Sequence, residues 1–301
     1  MKKLLALVLA SVMALGLCAC GSTTQPTTAE TDATATEAEA TDATATTDRT
    51  TFIVGFDAEF PPYGYMDESG EYVGFDLDLA QEVCNRMGWE LVKQPIDWDA
   101  KDMELSSGAI DCIWNGFTIN GREDSYTFSV PYVDNSQVYV VKEGSDINGE
   151  ADLAGKVVGV QADSSALAAL EDAEEGKADL AATFADLVQF ADYNTGFMNL
   201  ESGAIDCLAL DIGVANYEIS SRNGGYVILA DQLASEQYGI GFLKGNTELK
   251  DQVEKVLLEM VDDGTFGKIA EEYADFGLVD SVIKRRALSR HRRLPQLCCM
   301  E

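Results

Sequence analysis

One ten-residue phrase occurs twice in this chain and constrains its fold more than any other feature. Met103-Glu104-Leu105-Ser106-Ser107-Gly108-Ala109-Ile110-Asp111-Cys112 returns ninety-five residues later as Met198-Asn199-Leu200-Glu201-Ser202-Gly203-Ala204-Ile205-Asp206-Cys207. The copies differ only at Glu104/Asn199 and Ser106/Glu201. Each reads as the end of a helix, a Ser-Gly turn, and the start of an apolar, buried strand. A repeated supersecondary unit implies two similar lobes, each aiming a strand at a shared cleft.

Ligands gather at strand tips in open α/β sheets, and the two copies end in different chemistry. The first runs on through Ile113 to Trp114-Asn115-Gly116-Phe117-Thr118-Ile119-Asn120-Gly121-Arg122. Small and polar residues with free backbone groups lead to one Arg, whose planar fork suits a carboxylate. A solvated Arg on a surface turn is the alternative. The second copy runs on to Leu208-Ala209-Leu210-Asp211 and delivers an acid to its strand tip. There the alternative is a helix N-cap before Ile212-Gly213.

The fold begins with a strand at Thr51–Phe56, followed by the loop Asp57-Ala58-Glu59-Phe60-Pro61-Pro62-Tyr63. Asp76 then caps a helix with Leu79, Val83 and Met87 on its apolar face and Gly88 as its stop. Further strands are expected at Leu91-Val92, Val138–Val141, Lys156–Val160 and Tyr238–Phe242. Gln161 precedes Ser164-Ser165, which stand at a helix start carrying Leu167 and Leu170. Such a start offers N–H groups to an anion, and Ser164 can equally serve as its cap.

The formal net charge of −31 argues against nucleic acid as a partner. Cys112 and Cys207 lie in apolar runs and read as buried free thiols; no CxxC suggests zinc, and no cofactor is expected. The one histidine, His291, lies in a basic tail, so the folded body holds no Ser-His or Cys-His pair. Lys2, Lys3 and the apolar Leu4–Leu17 form an export signal over 1–19. Leu17-Cys18-Ala19-Cys20-Gly21 has the form of a bacterial lipobox, with Cys20 as the lipidated new N-terminus. An ordinary cleaved signal that leaves a free thiol is the alternative. Of residues 21–50, twelve are Thr, seven Ala and six acidic, which is a tether without a core. Its root-mean-square span is on the order of 30 Å. Residues 284–301 hold six Lys or Arg against one acid and read as a solvated tail, or as a segment drawn to anionic lipid.

A set of phrases in fixed order carries a resemblance over about residues 51–278. They are Val73-Gly74-Phe75-Asp76-Leu77-Asp78-Leu79, Asp97-Trp98-Asp99, Ser107-Gly108-Ala109-Ile110-Asp111, Gly116-Phe117-Thr118-Ile119 leading to Arg122, Phe128-Ser129-Val130-Pro131-Tyr132, Gly159-Val160-Gln161 and Tyr238-Gly239-Ile240. The chain resembles the amino-acid-binding proteins of ABC importers, the polar-amino-acid branch of the bilobed solute-binding proteins (family 3). The resemblance implies an α/β, type II periplasmic-binding fold with lobe 1 at 51–139 plus 236–283 and lobe 2 at 140–235. It implies a free L-amino acid held by Asp57, Phe60, Trp98, Asn115, Gly116, Thr118, Arg122, Gln161, Ser164, Ser165 and Asp211. In that arrangement Arg122 takes the carboxylate. Asp211, helped by the Gly116 carbonyl and the Thr118 hydroxyl, takes the ammonium, while Phe60 and Trp98 wall the side chain. Core packing for Trp98 and a loop position for Phe60 are the alternatives.

The chain departs from the family pattern in two places. The step from Thr118 to Arg122 is one residue shorter than in many relatives. Asp163 stands where Gly is common, which, with Asp57 and Glu59, favours a neutral or cationic ligand. The implied role is delivery of the amino acid, after hinge closure, to an ABC permease by a lipid-anchored monomer on the outer face of the membrane. A receptor domain, or a dehydratase using Asp57 or Glu59, is the competing class.

Overall fold

The computed structural model describes residues 49–282, Glu175 apart. The export signal, Cys20, the tether up to residue 48 and the tail 284–301 lie outside the described residues. Chain order opens with β1 (Thr51–Phe56), β2 (Glu59–Phe60), β3 (Gly64–Met66), β4 (Tyr72–Val73), α1 (Phe75–Met87), β5 (Glu90–Pro95), α2 (Lys101–Ser107), β6 (Cys112–Ile113) and β7 (Tyr126–Phe128). It continues through β8 (Val133–Lys142), β9 (Val157–Gln161), α3 (Ser165–Glu171), α4 (Ala178–Ala181), β10 (Asp186–Phe190), α5 (Tyr193–Ser202), β11 (Cys207–Asp211), α6 (Ile212–Ser221) and β12 (Tyr226–Tyr238). It closes with β13 (Gly241–Leu243), α7 (Thr247–Asp263), α8 (Thr265–Glu272) and α9 (Leu278–Ser281).

Two five-stranded sheets carry the architecture, in the orders β5-β1-β6-β13-β7 and β10-β9-β11-β8-β12, with β2-β3-β4 as a small third sheet. Alternation along each strand decides which layer covers which face. Phe52, Val54 and Phe56 of β1 share a core with Phe75, Leu79 and Val83 of α1 and with Val253, Leu257 and Met260 of α7. Ile53 and Ile113 face the other way, toward Leu105, Ile110, Phe117 and Tyr126. In the second sheet Leu208 and Leu210 pack with Phe197, Leu200 and Val214 of α5 and α6. Cys207 and Ala209 pack with Leu167 and Leu170 of α3. Both sheets are therefore covered on two sides, which is why their central strands are almost wholly apolar. Cys84, Cys112 and Cys207 are buried free thiols, as expected for the latter two.

The repeated phrase makes the same local structure twice. Gly108 and Gly203 end α2 and α5 in the left-handed conformation, at φ 77° and 78°. Asp111 then accepts the Ile53 N–H at 2.7 Å, and Asp206 accepts the Val157 N–H at 2.8 Å. Each acid thus pins the strand that follows its helix to the preceding parallel strand. The isoleucines one position earlier, Ile110 and Ile205, lie over Gly55 and Gly159, where a side chain on either glycine would collide with them.

Three expectations need correction. Asp76 is not a helix cap: α1 starts at Phe75 behind Gly74, and no side chain caps it. The Asp76 carboxylate turns inward instead and accepts the Gly116 N–H at 2.6 Å and the Tyr132 hydroxyl at 2.8 Å. The crossing between lobes at 139/140 falls inside β8, which pairs with β12 in the second sheet from Val133 onward. The chain therefore passes from the first sheet to the second between Phe128 and Val133 and returns between Tyr238 and Gly241. Residues after α8 do not all join the first sheet either. Phe276 stacks on Tyr217 of α6 at 4.9 Å, and Val282 bridges to Val133. Phe276 and Val282 thus pack on the second lobe.

Candidate functional site

The Arg122 loop leaves β6 through Gly116, a position that needs glycine both for its φ of 57° and because a side chain there would meet Phe60 and Tyr238. Asp76 holds the loop from below through the Gly116 N–H. Burial pushes that carboxyl up to about 7. Phe117 then points down among Trp98, Tyr126 and Phe128, with ring centroids 5.7, 4.9 and 5.3 Å away. The Arg122 guanidinium lies 5.1 Å over the Phe117 ring. Its Nη1 reaches the Thr118 carbonyl at 3.4 Å, and its Nη2 reaches the Asp163 carbonyl, from the second sheet's side, at 3.3 Å. The Arg is thus stacked and partly buried at the junction of the lobes. The solvated-turn alternative does not describe it.

Asp163 is where the two sides meet. It adopts φ 54°, the conformation in which Gly is the usual residue, and this accounts for the departure noted in the sequence. Its carbonyl accepts from Trp98 Nε1 at 3.2 Å as well as from Arg122. Its carboxylate pairs with Lys101, whose side chain is only 2% exposed and sits 4.9 Å over the Trp98 ring. The Asp163 charge is thereby paired with a buried lysine, although its own side chain is half-exposed and lines a cleft. Trp98 is half-buried and does both jobs: it packs against the Phe117 core and lines a cleft.

Two clefts open on either side of this contact. One, of about 660 Å³, takes in Thr118, Arg122, Asp163, Ser164, Ser165 and Glu236. The other, of about 620 Å³, is lined by Trp98 and by Asp57, Glu59, Asp97, Asp99, Glu104 and Asp192, with no Lys, Arg or His on its wall. Burial, and to a lesser degree Asp192 and Glu59, push the Asp57 carboxyl up to about 6, against the Glu59 N–H and the Gln161 amide, which favour its charged form. Gln161 Nε2 reaches Asp57 at 2.7 Å and the Ala191 carbonyl at 3.0 Å, so this amide too joins the lobes. Asn115 accepts the Asp57 N–H at 3.0 Å.

The remaining expected residues are buried near the hinge strands. Phe60, 6% exposed, packs between Tyr63 and Tyr193 at 5.6 and 6.0 Å. Ser164 caps α3: its hydroxyl accepts the Leu167 N–H and donates to the Gln161 carbonyl. Ser165 accepts from Gln137 at 2.9 Å. Asp211 occupies the N-cap position of α6, but its side chain makes no cap bond, so the capping alternative fails. It accepts from Asn135 at 2.9 Å, from Gln137 at 2.6 Å and from the Tyr238 hydroxyl. The Thr118 hydroxyl, expected to help bind an ammonium, donates to Glu236 at 3.0 Å instead.

Sequence reasoning missed Lys101, Asn135, Gln137 and Glu236. A signal for two of them was present. Asn135 and Gln137 occupy alternate, inward positions of β8, flanked by the buried Val133 and Tyr139. Buried amides in an otherwise apolar register point to a polar site. Among the described residues no group of His, Cys, Asp and Glu could hold a metal ion, and no helix is long and apolar enough to cross a membrane.

Comparison with known proteins identifies the family. The chain is 28% identical over 229 residues to the L-cystine-binding protein TcyJ of Escherichia coli (strain K12), spanning 75% of this chain and 83% of that one. An ancestral arginine-binding protein bound to glutamine superposes with a TM-score of 0.69 at 37% identity, over 75% of this chain and 98% of its own. The substrate-binding protein of an ABC uptake transporter from Streptococcus pneumoniae, with bound histidine, gives 0.70 at 33%, over 74% and 92%. These are binding proteins and not enzymes. The family model that describes bacterial extracellular solute-binding proteins, family 3, matches residues 52–276, and the chain belongs to that family.

Proposed function

We propose that this protein binds a free L-amino acid with a cationic side chain between its two sheets and delivers it to the permease of an ABC importer. The observation that carries the choice of ligand is the cleft beside Trp98, with six carboxylates on its wall and no cation. A guanidinium or ammonium entering it gains carboxylate partners and a Trp face. An acidic side chain meets only repulsion.

In this reading Arg122 holds the ligand carboxylate, using fork N–H groups beyond the two that reach carbonyls. Asp211 holds the α-ammonium from the other lobe, and Asp57 and Trp98 receive the side chain. Burying a zwitterion is costly unless both charges are paired, so closure of the lobes and capture are one event. Asn115, Gly116, Gln161, Ser164 and Ser165 support these groups through the bonds described above. The lobe that carries the first sheet and the lobe that carries the second then move about the two crossing segments, near 128–133 and 238–241. A monomer tethered by a lipid on Cys20 would present the closed form to its permease.

A thermal-shift screen of the twenty amino acids tests the ligand class, because a tight ligand raises the melting temperature by mass action. Arginine, lysine or ornithine should give the largest shift. A largest shift with glutamate or aspartate contradicts the reading. Cys20→Ser should release the protein from membranes, and unchanged membrane association would rule out the anchor.

A further inference from the structure

The group of side chains at Asp211 holds a second carboxylate that the ligand assignment above leaves without a task. Glu236, on hinge strand β12, is 6% exposed, and Asp211 is 4% exposed. The same two amide nitrogens serve both. Asn135 Nδ2 lies 2.9 Å from Asp211 and 2.6 Å from Glu236, and Gln137 Nε2 lies 2.6 and 2.7 Å from them. Gln137 also reaches Ser165 at 2.9 Å, so its two N–H groups face three acceptors. Neither carboxylate has a Lys or Arg partner among the described residues. The amide oxygens of Asn135 and Gln137, buried in the same group, have no hydrogen-bond partner at all. The group is therefore short of donors and rich in acceptors. An ammonium, with three N–H donors and one positive charge, supplies what is missing.

We propose that Asp211 and Glu236 act as one receptor for the ligand's ammonium, sharing a single proton while the site is empty and releasing it when the ammonium binds. This rests on the amino-acid-binding reading above and deepens it by making Glu236 a specificity residue. The charges balance: an empty pair with one proton carries one negative charge, and the ionised pair with an ammonium carries the same. One proton passes to solvent, and no covalent bond changes. Two carboxylates this close in a low-dielectric site do not both ionise without a cation. In agreement, burial and the neighbouring Glu236 push the Asp211 carboxyl well above the usual carboxylate range. The hydroxyls of Tyr63, Tyr193 and Tyr238, packed on the pair, are held neutral by burial, and the clefts that Glu236 lines also carry Arg122, Asp134, Asp163, Glu171 and Asp172. Glu236 also bonds Thr118 of the other lobe, so the pair spans the hinge.

Calorimetry of the whole chain with L-arginine at pH 7, in two buffers of different ionisation enthalpy, counts the protons released. The other nineteen amino acids follow in turn if arginine gives no heat. The wild type should release up to one proton from this pair per ligand bound. Its affinity should strengthen with pH between about 6 and 8, by at most about tenfold per unit for one linked proton. Glu236→Gln keeps the size and an oxygen that accepts from Asn135 and Gln137, while the Thr118 hydroxyl can turn to accept from the new NH2; it should fold by circular dichroism and lose this release. Any share from Asp57, Asp76 or Glu218, the other buried acids whose carboxyls burial raises, persists in the variant. Equal proton release in the two proteins overturns the proposal, as does none in the wild type. Carboxyl carbon-13 shifts give the answer with no variant: a protonated Asp or Glu signal in the free protein should move to the ionised position on ligand addition, and an unmoved spectrum is contrary. Failure of every amino acid to bind overturns the binding reading itself, and the receptor with it.

Discussion

The two copies of the repeated phrase build the same scaffold and finish it with opposite charge. In the first sheet the phrase ends in a strand of two residues, Cys112–Ile113, after which the chain becomes a loop and carries Arg122 onto the Phe117 ring. In the second the strand runs five residues, Cys207–Asp211, and leads straight into α6, so Asp211 stays buried where the strand stops. Scaffold and charge are thus separable. The helix end, the glycine turn and the acid that pins the neighbouring strand set direction. The length of strand beyond them sets which residue is delivered, and how deeply.

The largest expected effect tests the delivered charges. Arg122→Ala and Asp211→Ala each leave one end of a bound zwitterion without its partner. Each should weaken arginine binding by about 2–5 kcal/mol, roughly thirty- to several-thousand-fold. Titration calorimetry reads this, and a folded variant with unchanged affinity removes that residue from the site.

The next effect tests the shared scaffold. A methyl on Gly159 would lie 2.6 Å from Ile205 and 2.7 Å from Phe190, whereas on Gly55 its three nearest atoms all belong to Ile110, the first at 2.4 Å. Overpacking of this kind costs about 1–3 kcal/mol. Gly159→Ala should lower the melting temperature more than Gly55→Ala, because one isoleucine can turn aside more readily than two neighbours can. Equal losses would show that the second sheet yields as easily as the first.

A smaller effect concerns the contact between the lobes. Asp163→Ala leaves Lys101 buried without its anion whenever the lobes are closed. The closed form should lose on the order of 1 kcal/mol, roughly fivefold in population, with scattering reporting a larger radius for the free protein. An unchanged radius would mean that the Lys101–Asp163 pair does not hold the lobes together.

The weakest effect is on pH dependence without ligand. Asp57 and Asp76 have folded-state values near 6 and 7, above those of an unfolded chain, so the folded state binds more protons between about pH 4 and 7. Their contribution is fully present below the unfolded values and is lost as pH rises through the folded ones. The ligand-free protein should therefore melt a few degrees higher at pH 5 than at pH 7.5. Asp76→Asn should reduce the difference, and a larger difference would contradict the sign.

The sequence made the scaffold legible because its signals are local. The Ser-Gly turns, most of the apolar strands and the Gly88 stop each need only a few neighbouring residues and form as read, whereas the strand expected at 238–242 is broken at Gly239-Ile240 between β12 and β13. The crossing points were misplaced because β8 and β12 run long past the hinge, and pairing between distant strands leaves no mark at a boundary. Asp76 looked like a cap because an acid at a helix start usually is one. Only the fold reveals that Gly116 and Tyr132 stand in front of it. Lys101 and Glu236 were passed over for a similar reason: a charged residue in a weakly apolar helix, or in a polar run such as Ser235-Glu236-Gln237, reads as solvated until a second lobe covers it.

The central claim is that the two lobes grip the two ends of one amino acid, Arg122 at its carboxylate. Agmatine, which is arginine without that carboxylate, tests this most directly when paired with Arg122→Ala in a cycle of four titrations. Wild type should bind arginine far more tightly than agmatine, and Arg122→Ala should weaken arginine while leaving agmatine nearly unchanged. An Arg122→Ala variant that still prefers arginine over agmatine by the wild-type factor would place the carboxylate elsewhere and contradict it.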